Sequence, residues 1–333
     1  MRWIDTVISE TAERLPGVAI GTRTTAGQRR TQRIARMTSR ATLTGHTNVV
    51  QSLAWSPDSK VLASTGRDKT IKIWSPRTPQ PLSTIAGLTR KIITAVAWSP
   101  DGKVLAWASH DGGIRVWNYR AGRLITTFGE ESAAHHWLAW SPDGERLATA
   151  GWYPTLNIWD PHAGQLVAAL AGASEHLTSG AWSPYGSLVA SGSLDGTVNV
   201  WDPQSDQLVS TRPSAHQIEC VAWSPDGAHL AAGGDNGDIE VWDARSGRHL
   251  ADFYTPTPGG YPPMVHSVAW SPDSAYLAAG TGDAAVRVWD PSTAEILVTL
   301  YGHSDEVTTV AWSPDGKLLA SGSLDGTVRL WGA

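Results

Sequence analysis

The chain contains a single cysteine, Cys220, in 333 residues, which excludes an intrachain disulfide framework and any zinc centre built on several thiolates. No run reaches the roughly 18 apolar residues of a membrane span. The first residues carry Asp5, Glu10 and Glu13 where a secretory signal needs an unbroken apolar stretch. Cytoplasmic residence without membrane association is therefore expected. Neither a P-loop nor a dinucleotide-binding glycine motif runs from a strand into a helix, so no cofactor is expected. Phenylalanine is nearly missing, with 2 against 18 tryptophans. So lopsided an inventory implies one tryptophan-based device copied many times. Charge is uneven as well: residues 1 to 40 hold eight arginines and three acidic residues, while the remainder holds 18 basic and 28 acidic residues, a net −10. An acidic body argues against a broad nucleic-acid surface.

What is present is a repeat. The string AWSP occurs seven times, with its tryptophans at 55, 98, 140, 182, 223, 270 and 312. A second tryptophan closes each unit at 74, 117, 159, 201, 242, 289 and 331, and the two series advance in lockstep by 41 to 47 residues. That is the signature of tandem structural units. In the last unit apolar residues alternate through VTTVAW, KLLAS and TVRLW, as half-buried strands require. The joints SPDG and SLDG are turn sequences, with Pro presetting φ and Gly supplying a positive φ. A fourth run such as EILVTLYGH makes each unit a four-stranded antiparallel sheet.

These residues resemble the WD-repeat family, in particular its prokaryotic arrays. Trp-Asp stands at 159/160, 201/202, 242/243 and 289/290, while Ser75, Asn118 and Gly332 follow the tryptophan in blades 1, 2 and 7. The resemblance spans about residues 38 to 331 and implies an all-β, seven-bladed β-propeller. The chain stops after the third strand of the last unit, and the missing fourth run stands at the start, where SRATLTGH matches EILVTLYGH. The N-terminal strand is thus expected to complete the last blade and remove an open edge. Residues 38–333 form the propeller, and residues before 38 are expected to be dispensable to the ring.

Ser, His and Asp recur at fixed spacing as His46, Ser64 and Asp68 in blade 1 and His303, Ser321 and Asp325 in blade 7. This invites a hydrolase reading. The resemblance instead implies a buried network with Trp74 and Trp331 that ties loop to strand. The set decays around the ring, with Trp107, Thr149, Ala232 and Ala279 at the serine position. Decay of that kind suits a structural brace, so no catalytic residue is expected. His135 and His136 are the best metal candidates, but adjacent strand residues point to opposite faces, and no metal site is expected.

The resemblance also implies that partners meet the face carrying the Gly-His and strand b to c loops, at three positions per blade. The transferred positions include Arg67; Thr94 with His110; His136 with Trp152; His176 with Thr178; Glu219 with Asp235; His266; and Glu306 with Thr308. Trp152, His136, His110 and His176, with Arg67, Glu219, Asp235 and His266, are the expected partner-binding residues, since aromatic anchors beside charge suit a binding hot spot. The histidines imply pH sensitivity between about 5.5 and 7. Trp3, Ile4, Val7, Ile8, Ala12 and Leu15 predict a short helix ended by Pro16, followed by a flexible basic linker. That linker is the one segment suited to nucleic acid or an acidic partner. Residues 254–263 form an insertion, read as a tolerated surface loop before a contact loop. The chain is expected to be a monomeric, non-catalytic scaffold for a protein or peptide. The other readings are a sensor or regulatory subunit in a bacterial signalling or defence system, and an enzyme using the channel mouth.

Overall fold

Each repeat folds into four antiparallel strands in the order a, b, c, d, giving seven four-stranded sheets. The computed structural model describes residues 25–129, 134–256, 260 and 262–333. The helix expected around Trp3 to Leu15 and part of the 254–263 insertion lie outside them. Strand b of every blade is buried along its length apart from Val104 and His229 at two strand starts. Both faces of the sheet are therefore covered, which a lone blade cannot achieve. Seven apolar clusters supply the cover, each joining residues of two consecutive blades.

The AWSP tryptophans stitch these seams with hydrogen bonds. Trp98 Nε1 donates to the Ala54 carbonyl at 3.2 Å, Trp140 to Ala97 at 3.3 Å, Trp182 to Ala139 at 3.3 Å and Trp270 to Ala222 at 3.2 Å. Trp55 closes the circle by donating to Ala311 in the last blade at 3.1 Å. A buried indole N–H left without an acceptor is costly, so the alanine beside each tryptophan is an acceptor held in place for the next blade. Trp223 turns instead to Gly227 of its own blade at 3.4 Å, and Trp312 Nε1 has no partner.

The last blade is completed from the start of the chain. Strand β1 (Thr38–Leu43) pairs antiparallel with Val328–Gly332, setting Leu43 against Val328, Thr42 against Arg329 and Ala41 against Leu330. Arg40 Nε adds a bond to the Gly332 carbonyl at 3.1 Å.

The basic stretch before β1 differs from the expected flexible linker. Residues Thr25–Ile34 form a helix, α1, seated on blades 6 and 7. Ile34 and Met37 are buried in that seam with Tyr276 and Trp312. Arg30 pairs with Asp273 at 3.1 Å and Arg33 donates to the Gly316 carbonyl at 2.6 Å. Two apolar residues in a polar run suffice, because the SPDS and SPDG turns beneath supply acceptors for the arginines, Asp273 and the Gly316 carbonyl.

The Ser-His-Asp sets are braces. Trp74 Nε1 donates to Ser64 Oγ at 2.7 Å, so the hydroxyl proton goes to His46 Nε2 at 2.7 Å and His46 Nδ1 donates to Asp68 at 2.8 Å. Blade 7 repeats this through Trp331 to Ser321 at 2.8 Å, Ser321 to His303 at 2.8 Å and His303 to Asp325 at 2.9 Å. Burial works to raise the Asp325 carboxyl, yet hydrogen bonds from Thr327, Ser304 and His303 outweigh it and hold it down to about 2. Ser64 and Ser321 are fully buried, so neither hydroxyl can meet a substrate.

Where the histidine is missing, other residues take its place. In blades 2 and 6 an arginine two residues before the closing tryptophan grips the turn aspartate. Arg115 reaches Asp111 at 2.9 Å and Ser109 at 2.7 Å; Arg287 reaches Asp283 and, at 2.7 Å, Thr281. In blade 3 the turn residue is Tyr153, whose hydroxyl bonds His135 Nδ1.

Two outcomes test this architecture. Removing residues 1–44 takes β1 away and is expected to abolish the cooperative thermal transition. Removing residues 1–37 keeps the transition but lowers stability by a few kcal/mol, about 1.5–3 for each of the two buried side chains lost with α1. Coincident melts of the two truncations would overturn the role of β1. Ser321→Ala is expected to cost about 1 to 3 kcal/mol in denaturant melts, by orphaning Trp331 Nε1 and His303 Nε2.

Candidate functional site

Two loops per blade, the one entering strand a and the one joining strands b and c, share one face of the ring. The same backbone hydrogen bond clasps them in every blade. Arg67 N–H donates to Val49, His110 to Ile92, Trp152 to Ala134, Leu194 to His176, Asp235 to Gln217, Gly282 to Met264 and Leu324 to Glu306, at 2.9 to 3.2 Å. The clasp brings the partner positions together in pairs. It holds in blade 3, where an extra residue upstream of His135 obscures the register in the sequence.

Strand a of each blade carries a β-bulge at its second residue, so Gln51, Thr94, His136, Thr178, Glu219, His266 and Thr308 have no cross-strand partner in the ladder. A bulge re-aims the side chain it carries. In three blades that side chain is a threonine used to lock the neighbour. Thr94 donates to the His135 carbonyl at 2.5 Å, Thr178 to Ile218 at 2.8 Å and Thr308 to Val50 at 2.6 Å. These threonines, transferred as partner positions, are seam locks. Gln51, His136, Glu219 and His266 are only partly buried.

The structure gathers Trp152, His110 and His136 from blades 2 and 3 into one cluster. Ring centroids are 5.1 Å apart for His136 and Trp152, 5.4 Å for His110 and His136, and 5.8 Å for His110 and Trp152. Trp152 remains 61% exposed, although its backbone is held by the clasp. His136 Nε2 is buried without a hydrogen-bond partner. His135 turns the other way, into the brace with Tyr153, as strand alternation requires. Burial, with the neighbouring His110 and His176, pushes His136 down to about 4. His110 is lowered by burial and by the charges of Arg67 and Lys91. The cluster is therefore neutral at pH 7, and the expected titration between 5.5 and 7 moves to lower pH.

His176 is exposed beside this cluster, and Arg67 flanks it on the other side. Glu219, Asp235 and His266 fall into a separate group over blades 5 to 7. His266 Nε2 meets Glu306 at 2.9 Å. Burial raises the Glu219 carboxyl, with His266 opposing and Asp235 adding to the shift. Glu306 is one of the transferred partner positions, whereas Lys91 belongs to the first group without being among them; only its loop position, not a motif, marks it in the sequence. Among the described residues one group offers three metal-type donor atoms within 4.8 Å of one another, Glu240, His249 and Asp252. It lies in blade 5, and His249 and Asp252 already bond each other at 2.7 Å. The described helix is too short to cross a membrane.

Two curated proteins match short stretches. Protein hir-1 of Neurospora crassa is 52% identical over 44 residues, 13% of this chain and 4% of that protein. A probable cytosolic iron-sulfur protein assembly protein CIAO1 homolog of Chlamydomonas reinhardtii is 51% identical over 39 residues, 12% of this chain and 11% of that protein. Each match is about one blade long, so it speaks to the repeat and not to either protein's role. The family described as WD domain, G-beta repeat matches seven times, at residues 37–75, 79–118, 122–160, 164–202, 207–243, 257–290 and 294–332. Six of these segments begin with the outer strand of one sheet and continue through the first three strands of the next, while 257–290 holds three strands of one sheet, so the sequence repeat runs one strand out of step with the blade. The seven matches cover most of the chain, which belongs to the WD40 repeat family.

Proposed function

We propose that this propeller is a non-catalytic scaffold that takes a protein or peptide partner on its clasped loop face, anchored at Trp152, His110 and His136. The observation that carries the reading is Trp152, 61% exposed on a backbone fixed by its clasp and against imidazoles from two blades. A rigid, exposed indole loses little conformational freedom on binding, which is what makes tryptophan effective at hot spots. Burial of both brace serines supports the non-catalytic part of the reading.

Trp152→Ala is expected to weaken the native partner by at least about 1 to 2 kcal/mol while leaving the thermal melt almost unchanged. Leu324→Ala in blade 7 serves as the control in the same pull-down. Equal recovery of every partner by the wild type and both variants would remove this site from consideration.

The pH dependence follows from the depressed histidines. Binding is expected to be flat between pH 7 and 8, because His110 and His136, both held below the ordinary histidine value, are neutral there. Stability behaves differently. The unfolded chain binds protons near pH 6.5, which His135 and His136, both held at about 4, refuse in the folded state. Their contribution is complete above about 6.5 and is lost as pH falls towards 4. Melting temperature should decline over that interval, and His136→Gln should flatten part of the decline. An unchanged slope would show that His136 is not held neutral by its surroundings.

A further inference from the structure

The loop face is electrically divided. Among its described residues, every lysine and arginine lies on blades 1 and 2: Arg67 and Lys69 on one b to c loop, Arg90 and Lys91 on the loop entering the next strand a. All four are exposed. Among the described residues, none of the four is joined by an ion pair or a side-chain hydrogen bond. Other exposed lysines of this protein are neutralised locally, since Lys60, Lys103 and Lys317 pair with Asp58, Asp101 and Asp315 at 2.8 to 3.1 Å. The described carboxylates on the b to c loops of blades 1 and 2 are engaged elsewhere. Asp68 is engaged by His46, and Asp111 by Arg115.

The patch is continuous with the aromatic cluster. Arg67, His110 and Trp152 occupy the same clasp position in three consecutive blades. Arg67 and Lys91 lie close enough to His110 to disfavour its protonation, and His110 touches Trp152. Two of the four cations, Arg67 and Lys91, thus lie beside the imidazole that touches the exposed indole. Along blades 5 and 7, Glu219, Asp235, Asp305 and Glu306 present the opposite sign, moderated by His266, with blade 7 adjoining blade 1.

Building on the scaffold reading above, we propose that the partner contributes an acidic peptide segment, its carboxylates over Arg67, Lys69, Arg90 and Lys91 and an apolar or aromatic side chain on Trp152. Charge complementarity selects the sign. Solvent-exposed cations contribute little each unless several act together, and here four share two loops of neighbouring blades, two of them beside the imidazole that touches the hydrophobic anchor. A nucleic acid is the less suitable polyanion, because the acidic arc across the face and the net negative body repel a long chain of phosphates.

Labelled dodecamer peptides in fluorescence polarisation test this: a Glu/Asp-rich one with a central Phe, the same with Phe replaced by Ser, and a Lys-rich one with Phe. A single-stranded oligothymidine of equal charge is the fourth probe. The acidic Phe peptide should bind best, weaken with added salt, and lose at least about tenfold in Arg67→Glu/Lys91→Glu and in Trp152→Ala. Arg245→Glu/Arg248→Glu, on a turn between strands c and d of blade 5, should bind it like wild type, and circular dichroism melts should show all variants folded. Equal binding of acidic and basic peptides, equal loss in the blade 5 control, or tighter binding of the oligonucleotide would overturn the proposal. The native-partner pull-down separates the two readings. Recovery that depends on Trp152 but not on Arg67 and Lys91 rejects the acidic partner and keeps the scaffold site. Recovery that depends on neither rejects both.

Discussion

A four-stranded sheet with two apolar faces has no stable existence alone, and in this protein every other feature depends on how that problem is solved around a circle. Each blade covers its neighbour, so the seams must number as many as the blades, and one missing strand would expose both a sheet edge and a seam. β1 supplies that strand from the other end of the chain. The bond from Trp55 to the Ala311 carbonyl closes the tryptophan stitching at the same place. Closure across the largest separation in sequence carries a loop-entropy cost, which is offset only when the whole ring is formed.

Given a closed ring, the loops of each blade need only a local brace, and the brace tolerates several chemistries. His-Ser-Asp serves blades 1 and 7, Arg-Asp serves blades 2 and 6, and His-Tyr serves blade 3. The common requirement is a buried donor and acceptor satisfied between loop and strand. The complete Trp-Ser-His-Asp form sits in the two blades that flank the closure. Blade 3 shows the consequence of drift. With Tyr153 at the turn and His135 drawn inward to meet it, the neighbouring Trp152 and His136 are left to build a surface cluster.

The bulge at the start of strand a links structure to function. It is a feature of backbone pairing repeated in all seven blades, and it re-aims one side chain per blade. Threonine there locks a seam; His136, Glu219 and His266 there give the face its chemistry. One fold element thus yields rigidity or recognition according to a single residue, which is how the repeat keeps its core while its face diverges.

Repeat number, strand pattern, turns and the swapped N-terminal strand were legible in the sequence, because periodicity and turn chemistry are local and were copied seven times. The brace around Ser64 and Ser321 was what the family resemblance implied, and the loss of its members in other blades agreed with it. The bulges were not legible, since nothing in VTTVAW distinguishes a paired Thr308 from a bulged one; only the register against strand b decides it. The helix at Thr25–Ile34 was read as a linker because its apolar residues are few and its partners, Asp273, Tyr276 and Gly316, lie more than 240 positions away. The protonation of His136 likewise follows from burial among residues of blades 2 to 4. By itself the sequence determined the unit and its count. Only the tertiary structure decided which side chains meet across blades, because those contacts join residues about one repeat or a whole ring apart, and no local pattern records them.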